Sequence, residues 1–429
     1  MKKSISRREM IKTAGAAAAG AALWSCGRPE PERAELQFPV RAVTRGPKHH
    51  WFAYYDKLEF CPEDRYLLSM EVDFEHRSPH PEDIIKTGMV GLQDSDKWIE
   101  LGESRSWGWQ QGCMLQWLPG SADRVIWNDR EEEGFVSRIL NVQTREMQTL
   151  PAPVYSITPD GKTAVYPDFS RINDMRPGYG YAGFPDMNAD QLAPSETGIS
   201  RLDLERGKTD LIIPISEIAA LPWKEDISAN KHYFNHLLVN PDGTRFIFLH
   251  RWRTGAHQWK TRMLTANLDG TDIRVIDDCG VTSHFIWRDP VTILAWSHYP
   301  GYDGKLSSSG MNSGFCLFED QPNGGNVQLA AGKEMAKDGH CTYIPGNRFI
   351  LNDSYPDQDR ISHVMLYDTE EKKVIPVADF LMPAEYQGEW RCDLHPRSSR
   401  NEKYVAVDAP YENSGRQILL IDISQALTG

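Results

Sequence analysis

One pattern of hydrophobic and polar positions recurs along most of the chain. A short apolar stretch is followed by a polar turn, often Pro-Asp-Gly or a variant of it, and then by a run of apolar and aromatic residues. Seven copies are present, beginning at Cys61, Leu118, Thr158, Asn240, Arg288, Ile344 and Ser399. Turn residues between two short apolar runs are typical of β-hairpins. The pattern therefore predicts seven strand pairs.

A further strand or strand pair follows each copy, as in residues 137–150 (SRILNVQTREMQTL) and 262–276 (RMLTANLDGTDIRVI). The resulting units of about four strands and roughly 58 residues have the size of propeller blades with their loops. The last unit lacks an outer strand, which residues 35–44 (ELQFPVRAVT) can supply to close the ring. We therefore predict an all-β fold, a seven-bladed β-propeller that forms a single domain over residues 36–429.

Composition narrows the classes of function. The 429 residues include 47 basic and 60 acidic side chains, a formal net charge of −13. Nucleic-acid-binding domains normally carry a basic excess, so we expect no nucleic-acid partner. The 7 cysteines contain no CxxC pair, which argues against a zinc ribbon and against a disulfide-dense scaffold.

The N-terminus has the features of an export signal. Residues 6–12 (SRREMIK) form a twin-arginine motif, and an Ala/Gly-rich apolar stretch follows, so residues 1–25 are predicted to be a signal peptide. Residues 23–26 (LWSC) resemble a lipobox, in which Cys26 would carry a lipid anchor. The Pro- and charge-rich residues 27–35 are predicted to be a linker. We expect a monomer in the periplasm or cell envelope, with membrane contact only through the lipid.

The longest gap between repeats lies at residues 168–198. This insert places polar and aromatic residues among Pro and Gly, namely Arg171, Asn173, Arg176, Tyr179 and Tyr181. A loop of this length in a compact fold is usually functional or mobile. A solvated excursion is the alternative, and the sequence leaves both open.

Histidine recurs at one position of the repeat. Five residues before each turn, the seven units carry in order Lys57, Met114, Val154, His236, His284, His340 and His395. This position begins the innermost strand, which lines the central channel of a propeller, so we expect the four imidazoles to converge on the axis. Neutral imidazoles bind transition metals and accept protons near neutral pH. Asp393 and His395 share one face of a strand and form a candidate pair of metal ligands.

Several segments together resemble the oligogalacturonate lyase family. The similar segments are residues 49–60 (HHWFAYYDKLEF), 235–237 (NHL), His250 with 261–263 (TRM), 282–287 (TSHFIW) and 339–340 (GH). The last block differs, because the family has His-x-His preceded by Gln. Here the block is Asp393-x-His395, with Trp390 at the expected place of the Gln.

The resemblance implies a seven-bladed propeller that cleaves short uronate oligomers by metal-assisted β-elimination. His236 would be the base that removes the C5 proton, with Arg262 and Lys57 as further catalytic residues. His284, Asp393 and His395 would hold a divalent metal, Mn²⁺ by expectation. The residues expected to bind the acidic oligosaccharide are His250, His340, Tyr55 and Arg251, with His340 as a possible fourth ligand. Trp51, Trp107 and Trp109 are candidates either for stacking on sugars or for packing between blades.

Other functions fit the same fold, because propellers host many unrelated activities. The channel could belong to a glycan- or protein-binding module without turnover, to a hydrolase, to a lyase for another uronate glycan, or to an envelope scaffold without metal. Four converging histidines favour a metal-assisted enzyme over a binding module.

Overall fold

The computed structural model describes residues 38–255, 258–299 and 313–427. The predicted signal peptide, Cys26 and the linker lie outside the described residues. Within the described part, 28 strands form seven four-stranded antiparallel sheets. These sheets are the blades of a seven-bladed β-propeller, and residues 36–429 form one compact unit. The predicted fold class is confirmed.

Blades 1 to 6 each take their strands from one stretch of the chain, with the innermost strand first. Blades 1 to 3 contain β2 (His49–Trp51), β3 (Tyr66–Val72), β4 (Ile85–Gly91), β5 (Lys97–Ser104); β6 (Gln116–Trp117), β7 (Arg124–Arg130), β8 (Phe135–Asn141), β9 (Met147–Leu150); and β10 (Ser156–Ile157), β11 (Thr163–Pro167), β12 (Gly198–Asp203), β13 (Lys208–Pro214).

Blades 4 to 6 continue in the same order: β14 (His232–Val239), β15 (Arg245–Gly255), β16 (Gln258–Asn267), β17 (Arg274–Gly280); β18 (Phe285–Asp289), β19 (Thr292–His298), β20 (Ser313–Glu319), β21 (Gln328–Ala331); and β22 (Thr342–Tyr343), β23 (Phe349–Asp353), β24 (Ile361–Asp368), β25 (Lys373–Leu381). Each of the seven repeated turns predicted from the sequence joins the first two strands of its blade.

The described helices are short. They are α1 (Phe169–Met175), α2 (Ile215–Ala219) and the 3-10 turns Pro322–Gly324, Lys333–Met335 and Gly388–Trp390. Among the described residues, no helix is both long enough and apolar enough to span a membrane.

The ring closes by joining the two ends of the propeller. Blade 7 combines β26 (Arg397–Ser398), β27 (Tyr404–Pro410) and β28 (Arg416–Asp422) with β1 (Val40–Ala42) as its outer strand. β1 pairs antiparallel with β28, as the leading strand was predicted to do. This pairing hydrogen-bonds the free edge of blade 7 to the segment that enters blade 1.

A buried ion network reinforces the closure. The Arg397 guanidinium in blade 7 donates to Glu59 at 2.8 Å, between β2 and β3 of blade 1, and to Asp408 at 3.0 Å. Asp408 also accepts the backbone N–H of Phe52 and of Ala53, at 3.2 and 2.9 Å. Both carboxylates and the guanidinium are buried, and each carboxylate is bonded to the guanidinium, so the network links the first and last blades.

Apolar side chains fill the space between the blades. Trp51, Trp107 and Trp109 are each at most 2% exposed, and their ring centroids lie 5.1–5.7 Å apart. These three tryptophans therefore pack between blades and offer no face to a sugar.

A substitution in β1 tests the closure. Ala42 is buried in the core of blade 7, and Ala42→Asp would place an unpaired carboxylate there. We expect a loss of about 3 kcal/mol in the free energy of unfolding, measured by urea denaturation. In the control Arg41→Ala, the loss of an exposed ion pair with Asp96 should cost about 1 kcal/mol or less. Equal effects of the two substitutions would contradict a structural role for β1.

Candidate active site

The four histidines of the repeat meet at the channel axis. Ring centroids of His340 lie 4.3 Å from those of His284 and 4.2 Å from those of His395. The Tyr54 ring lies between His236 at 4.9 Å and His395 at 5.4 Å. All four imidazoles are at most 6% exposed. The closed ring thus brings together four histidines that are up to 159 positions apart in the chain.

Unusual backbone conformations hold several of these positions. His236 and His395 have φ values of 55° and 44°, and Met114, at the equivalent place in blade 2, has φ of 56°. Residues other than glycine adopt this left-handed region at a cost of about 1 kcal/mol or more. In β14 the strand register also shifts between Asn235 and Leu238. Such bulges re-aim a side chain, and here the bulge carries His236.

Three of the converging residues form a set suited to a metal ion. Ligand atoms of His340, Asp393 and His395 lie within 4.8 Å of one another, and all three residues are buried. The Nε2 atoms of His340 and His395 have no hydrogen-bond partner. Buried polar atoms without partners are rare in folded proteins, and one carboxylate with two imidazoles is a donor set that binds divalent transition metals.

A neighbouring carboxylate orients this set. Asp353 lies 3.0 Å from Nδ1 of His340 and also accepts the backbone N–H of His340 at 2.7 Å and of His395 at 3.1 Å. A carboxylate on Nδ1 leaves Nε2 directed at a metal position, as at many metal-bound histidines. Burial lowers the pKa of His340, but the charge and hydrogen bond of Asp353, together with the charges of Asp393 and Asp338, outweigh burial and raise the pKa above its usual value.

His284 lies next to this set. Its Nδ1 is 2.9 Å from Asp338, and its ring contacts His340. The sequence grouped His284 with Asp393 and His395 as ligands, whereas the three close ligand atoms in the structure include His340 instead. His284 is therefore placed for a further ligand or a substrate contact.

The tautomer of His236 follows from its hydrogen bonds. The Tyr55 hydroxyl donates to the Phe285 carbonyl at 2.8 Å and accepts the Phe285 N–H at 3.1 Å. Its remaining lone pair faces Nε2 of His236 at 3.2 Å, so Nε2 carries the proton. Nδ1 is then the acceptor, and the Tyr54 hydroxyl donates to it at 3.4 Å. Tyr55, expected to bind substrate, is held here by the main chain.

Burial keeps His236 neutral. It lowers the pKa of His236 to about 4, although Asp56, 3.7 Å from Nε2, acts in the opposite direction. Asp56 also pairs with Lys57 at 3.1 Å, and the Lys57 ammonium lies 4.8 Å from the Tyr155 ring centre. Asp56 and Asp353 were not among the predicted site residues. Asp56 could have been predicted from the sequence, because it is the neighbour of Lys57. Asp353 lies at the end of β23, 13 residues after His340, and no sequence motif marks it.

Arg262 and His250 form a separate buried cluster. Arg262 donates to His250 Nδ1 at 3.2 Å and to the carbonyls of Ile218 and Pro222 at 2.7 and 3.0 Å. His250 Nε2 lies 2.9 Å from Nδ1 of His232. Every guanidinium nitrogen of Arg262 thus has a partner in this cluster. These contacts fasten the segment after α2 to blade 4, and the structure gives neither residue a contact with the four histidines.

Unlike Arg262, Arg251 has buried guanidinium nitrogens without hydrogen-bond partners. Its side chain is only 5% exposed, yet its Nε and Nη1 atoms have no hydrogen-bond partner. Arg251 is paired across the strands with Tyr233, which packs against Tyr54 and Tyr55 beside the histidines. A buried guanidinium with free donors is suited to an anionic group such as a carboxylate.

The insert covers the mouth of the channel. Arg171 anchors it through Asp186 at 2.9 Å and through backbone carbonyls that include that of His232 at 2.7 Å. Ile172, Met175 and Tyr179 of the insert then pack against Tyr54, Tyr55 and Tyr233. The insert is therefore part of the wall around the site.

No protein-family model and no curated protein matches the sequence. Among solved structures, an oligogalacturonate lyase from Vibrio parahaemolyticus is 14% identical with a TM-score of 0.63, and the match covers 92% of this chain and 96% of the lyase. A structure described as oligogalacturonate lyase in complex with manganese has a TM-score of 0.65 at the same identity and coverage. The match to prolyl endopeptidases has a TM-score of 0.50 and covers 49% of their chain. The expected remote resemblance is confirmed at the level of the fold.

The buried histidines predict acid sensitivity. Burial lowers the pKa of His232, like that of His236, to about 4, so the unfolded chain binds their protons at higher pH than the folded protein does. Their contribution to stability is complete above about pH 6.5 and is lost as the pH falls towards 4. Each such histidine should lower the free energy of unfolding by about 1.4 kcal/mol per pH unit in this window.

Urea denaturation between pH 7 and 4.5 measures this slope. In His232→Gln, and likewise in His236→Gln, the slope should decrease by about one proton. Stability that does not change between pH 6.5 and 4.5 would show that these histidines are not held neutral.

Proposed function

We propose that this protein is a lyase that cleaves short uronate-containing oligosaccharides, similar to oligogalacturonates, by β-elimination with a divalent metal. The observation that carries this proposal is a buried cluster of His340, His395 and Asp393 whose ligand atoms lie within 4.8 Å of one another, in which both imidazoles have an Nε2 without a partner. The fold shared with oligogalacturonate lyases supports the same reaction class.

The reaction requires stabilisation of negative charge. In a 4-linked uronate the C5 proton lies next to the carboxylate, and its removal spreads negative charge onto that group. A bound divalent ion, for which we propose Mn²⁺, would act as a Lewis acid on this carboxylate. His340, His395 and Asp393 would hold the ion, with His284 beside them. Arg251, with its free buried donors, would supply a fixed positive charge for the same carboxylate.

The proton would pass to His236. Nδ1 is the unprotonated nitrogen because Nε2 donates to Tyr55, and the low pKa keeps His236 neutral at neutral pH. The long 3.4 Å hydrogen bond from the Tyr54 hydroxyl would give way to the substrate proton. Asp56 beside Nε2 stabilises the imidazolium once the proton has been taken, and Lys57 keeps Asp56 ionised. The electrons of the C5–H bond form the C4=C5 double bond as the C4–O bond breaks.

Location and assembly complete the proposal. The twin-arginine motif and the lipobox-like Cys26 support export to the periplasm or cell envelope, with the lipid as the point of membrane contact. We propose that the exported protein acts as a monomer on an acidic oligosaccharide.

Metal binding can be measured without turnover. Chelator-treated protein should bind one Mn²⁺ in a calorimetric titration, and His340→Ala and His395→Ala should each abolish this binding. Asp353→Asn should weaken it by about 10- to 100-fold, because the Asn amide orients Nδ1 less well. His363→Ala is the matched control, since this histidine lies outside the set. Unchanged affinity in both His340→Ala and His395→Ala would overturn the assignment.

Turnover is tested with galacturonate and glucuronate oligomers. Ultraviolet absorbance of unsaturated ends should rise with the holoprotein and stop after chelation. His236→Ala should lose about 10²- to 10⁴-fold in kcat while circular dichroism shows a folded protein. New reducing ends without absorbance would indicate a hydrolase, and binding without any cleavage would indicate a binding module. Either result would overturn the lyase proposal.

A further inference from the structure

We propose that the insert builds a second anion-binding subsite beside the candidate active site, which holds an anionic substituent on the sugar next to the one that is cleaved. The subsite consists of Arg176 and Tyr179 from the insert and Trp259 from the β15–β16 hairpin. This inference rests on the proposed function, because it specifies which oligosaccharides that site accepts.

Arg176 is the cation of the subsite. Its guanidinium donates to the Tyr179 hydroxyl at 3.1 Å and stacks on the rings of Tyr179 and Trp259, at 4.1 and 4.7 Å. Within the part of the chain that the structure describes, no carboxylate forms an ion pair with Arg176. Arg171 in the same insert is fully buried and paired with Asp186. The insert thus uses one arginine as an anchor and presents the other, half-buried, at the channel mouth.

Arg391 connects the subsite to the candidate metal ligands. Its Nη2 lies 2.6 Å from the same Tyr179 hydroxyl, and its Nε lies 2.8 Å from Asp393. Asp393 neutralises Arg391, so the excess positive charge at this edge of the site belongs to Arg176. Because only Tyr179 and Arg391 separate Arg176 from Asp393, a group bound at Arg176 lies close to the reacting sugar.

Trp259 supplies an apolar surface beside this cation. It is 41% exposed, unlike the tryptophans packed between the blades. Arg253 of the same hairpin donates to the Met175 carbonyl at the end of α1, so the hairpin and the insert are joined. The part of the Trp259 ring that Arg176 does not cover can carry a sugar ring while the cation binds a substituent of that ring.

This chemistry defines the class of substrate. The guanidinium fork matches the planar edge of a carboxylate and the oxygens of a sulfate, and such charge-assisted pairs are strong when partly buried. The preferred substrates therefore carry anionic groups on successive sugars, either two adjacent uronates or a uronate next to a sulfated sugar. Oligosaccharides in which a neutral sugar follows the uronate lack this contact.

Binding is measured by calorimetry in the His236→Ala background, where turnover does not interfere. Trigalacturonate should bind about 10- to 100-fold more weakly to the double variant that adds Arg176→Met, and Arg176→Lys should restore part of the loss. The control Arg201→Met removes the same charge from an exposed pair with Asp210 on blade 3 and should not change the dissociation constant.

Ligands with altered neighbours identify the group that is bound. Methyl esterification of the neighbouring carboxylate should weaken binding of the oligosaccharide to the His236→Ala protein. Adding Arg176→Met should then change the dissociation constant of the ester very little. A uronate linked to a sulfated sugar tests whether a sulfate can take the place of the neighbouring carboxylate. If it can, Arg176→Met should weaken binding of this ligand as well. Arg176-dependent binding in a protein without lyase activity would support the subsite while overturning the lyase. Equal binding by Arg176→Met and its parent, or no binding of either anionic ligand, would overturn the subsite.

Discussion

Closure of the ring is the constraint on which the rest of the structure depends. β1 completes blade 7, and Arg397 joins that blade to Glu59 of blade 1, so the beginnings of the inner strands face one axis. Polar side chains at the beginnings of the inner strands therefore lie close together around the axis. Histidine suits this crowding, because several neutral imidazoles can lie in contact where several fixed charges would repel one another.

Burial and fixed carboxylates divide the histidines into different tasks. Burial, together with the nearby Arg397 and Arg391 charges, keeps the pKa of His395 well below its usual value, whereas Asp353 and the other carboxylates around His340 raise that of His340. His236 is held by Tyr55 in the tautomer that leaves Nδ1 as an acceptor. The left-handed backbone at His236 and His395 shows that this arrangement carries a conformational cost, which the surrounding core must offset. The side chains of the site are therefore preorganised in the ligand-free protein.

The sequence predicted the blades, the closing strand and the histidine position, because alternation and turn residues repeat with each blade. It did not reveal which side chains contact one another between blades. Arg262 and His250 were expected at the site, but their bonds secure the segment after α2. Asp353 was missed because a strand and a turn separate it from His340. The insert has no counterpart in the repeat, so its position over the channel mouth became apparent only in three dimensions.

The central claim is that ring closure creates a metal position from His340, His395 and Asp393. X-ray diffraction from crystals of the holoprotein grown with Mn²⁺, recorded on both sides of the manganese absorption edge, tests it directly. The account predicts one anomalous peak within bonding distance of Nε2 of both histidines and of the Asp393 carboxylate. A peak bound elsewhere, or no peak in a channel whose histidines have the geometry described above, would contradict it.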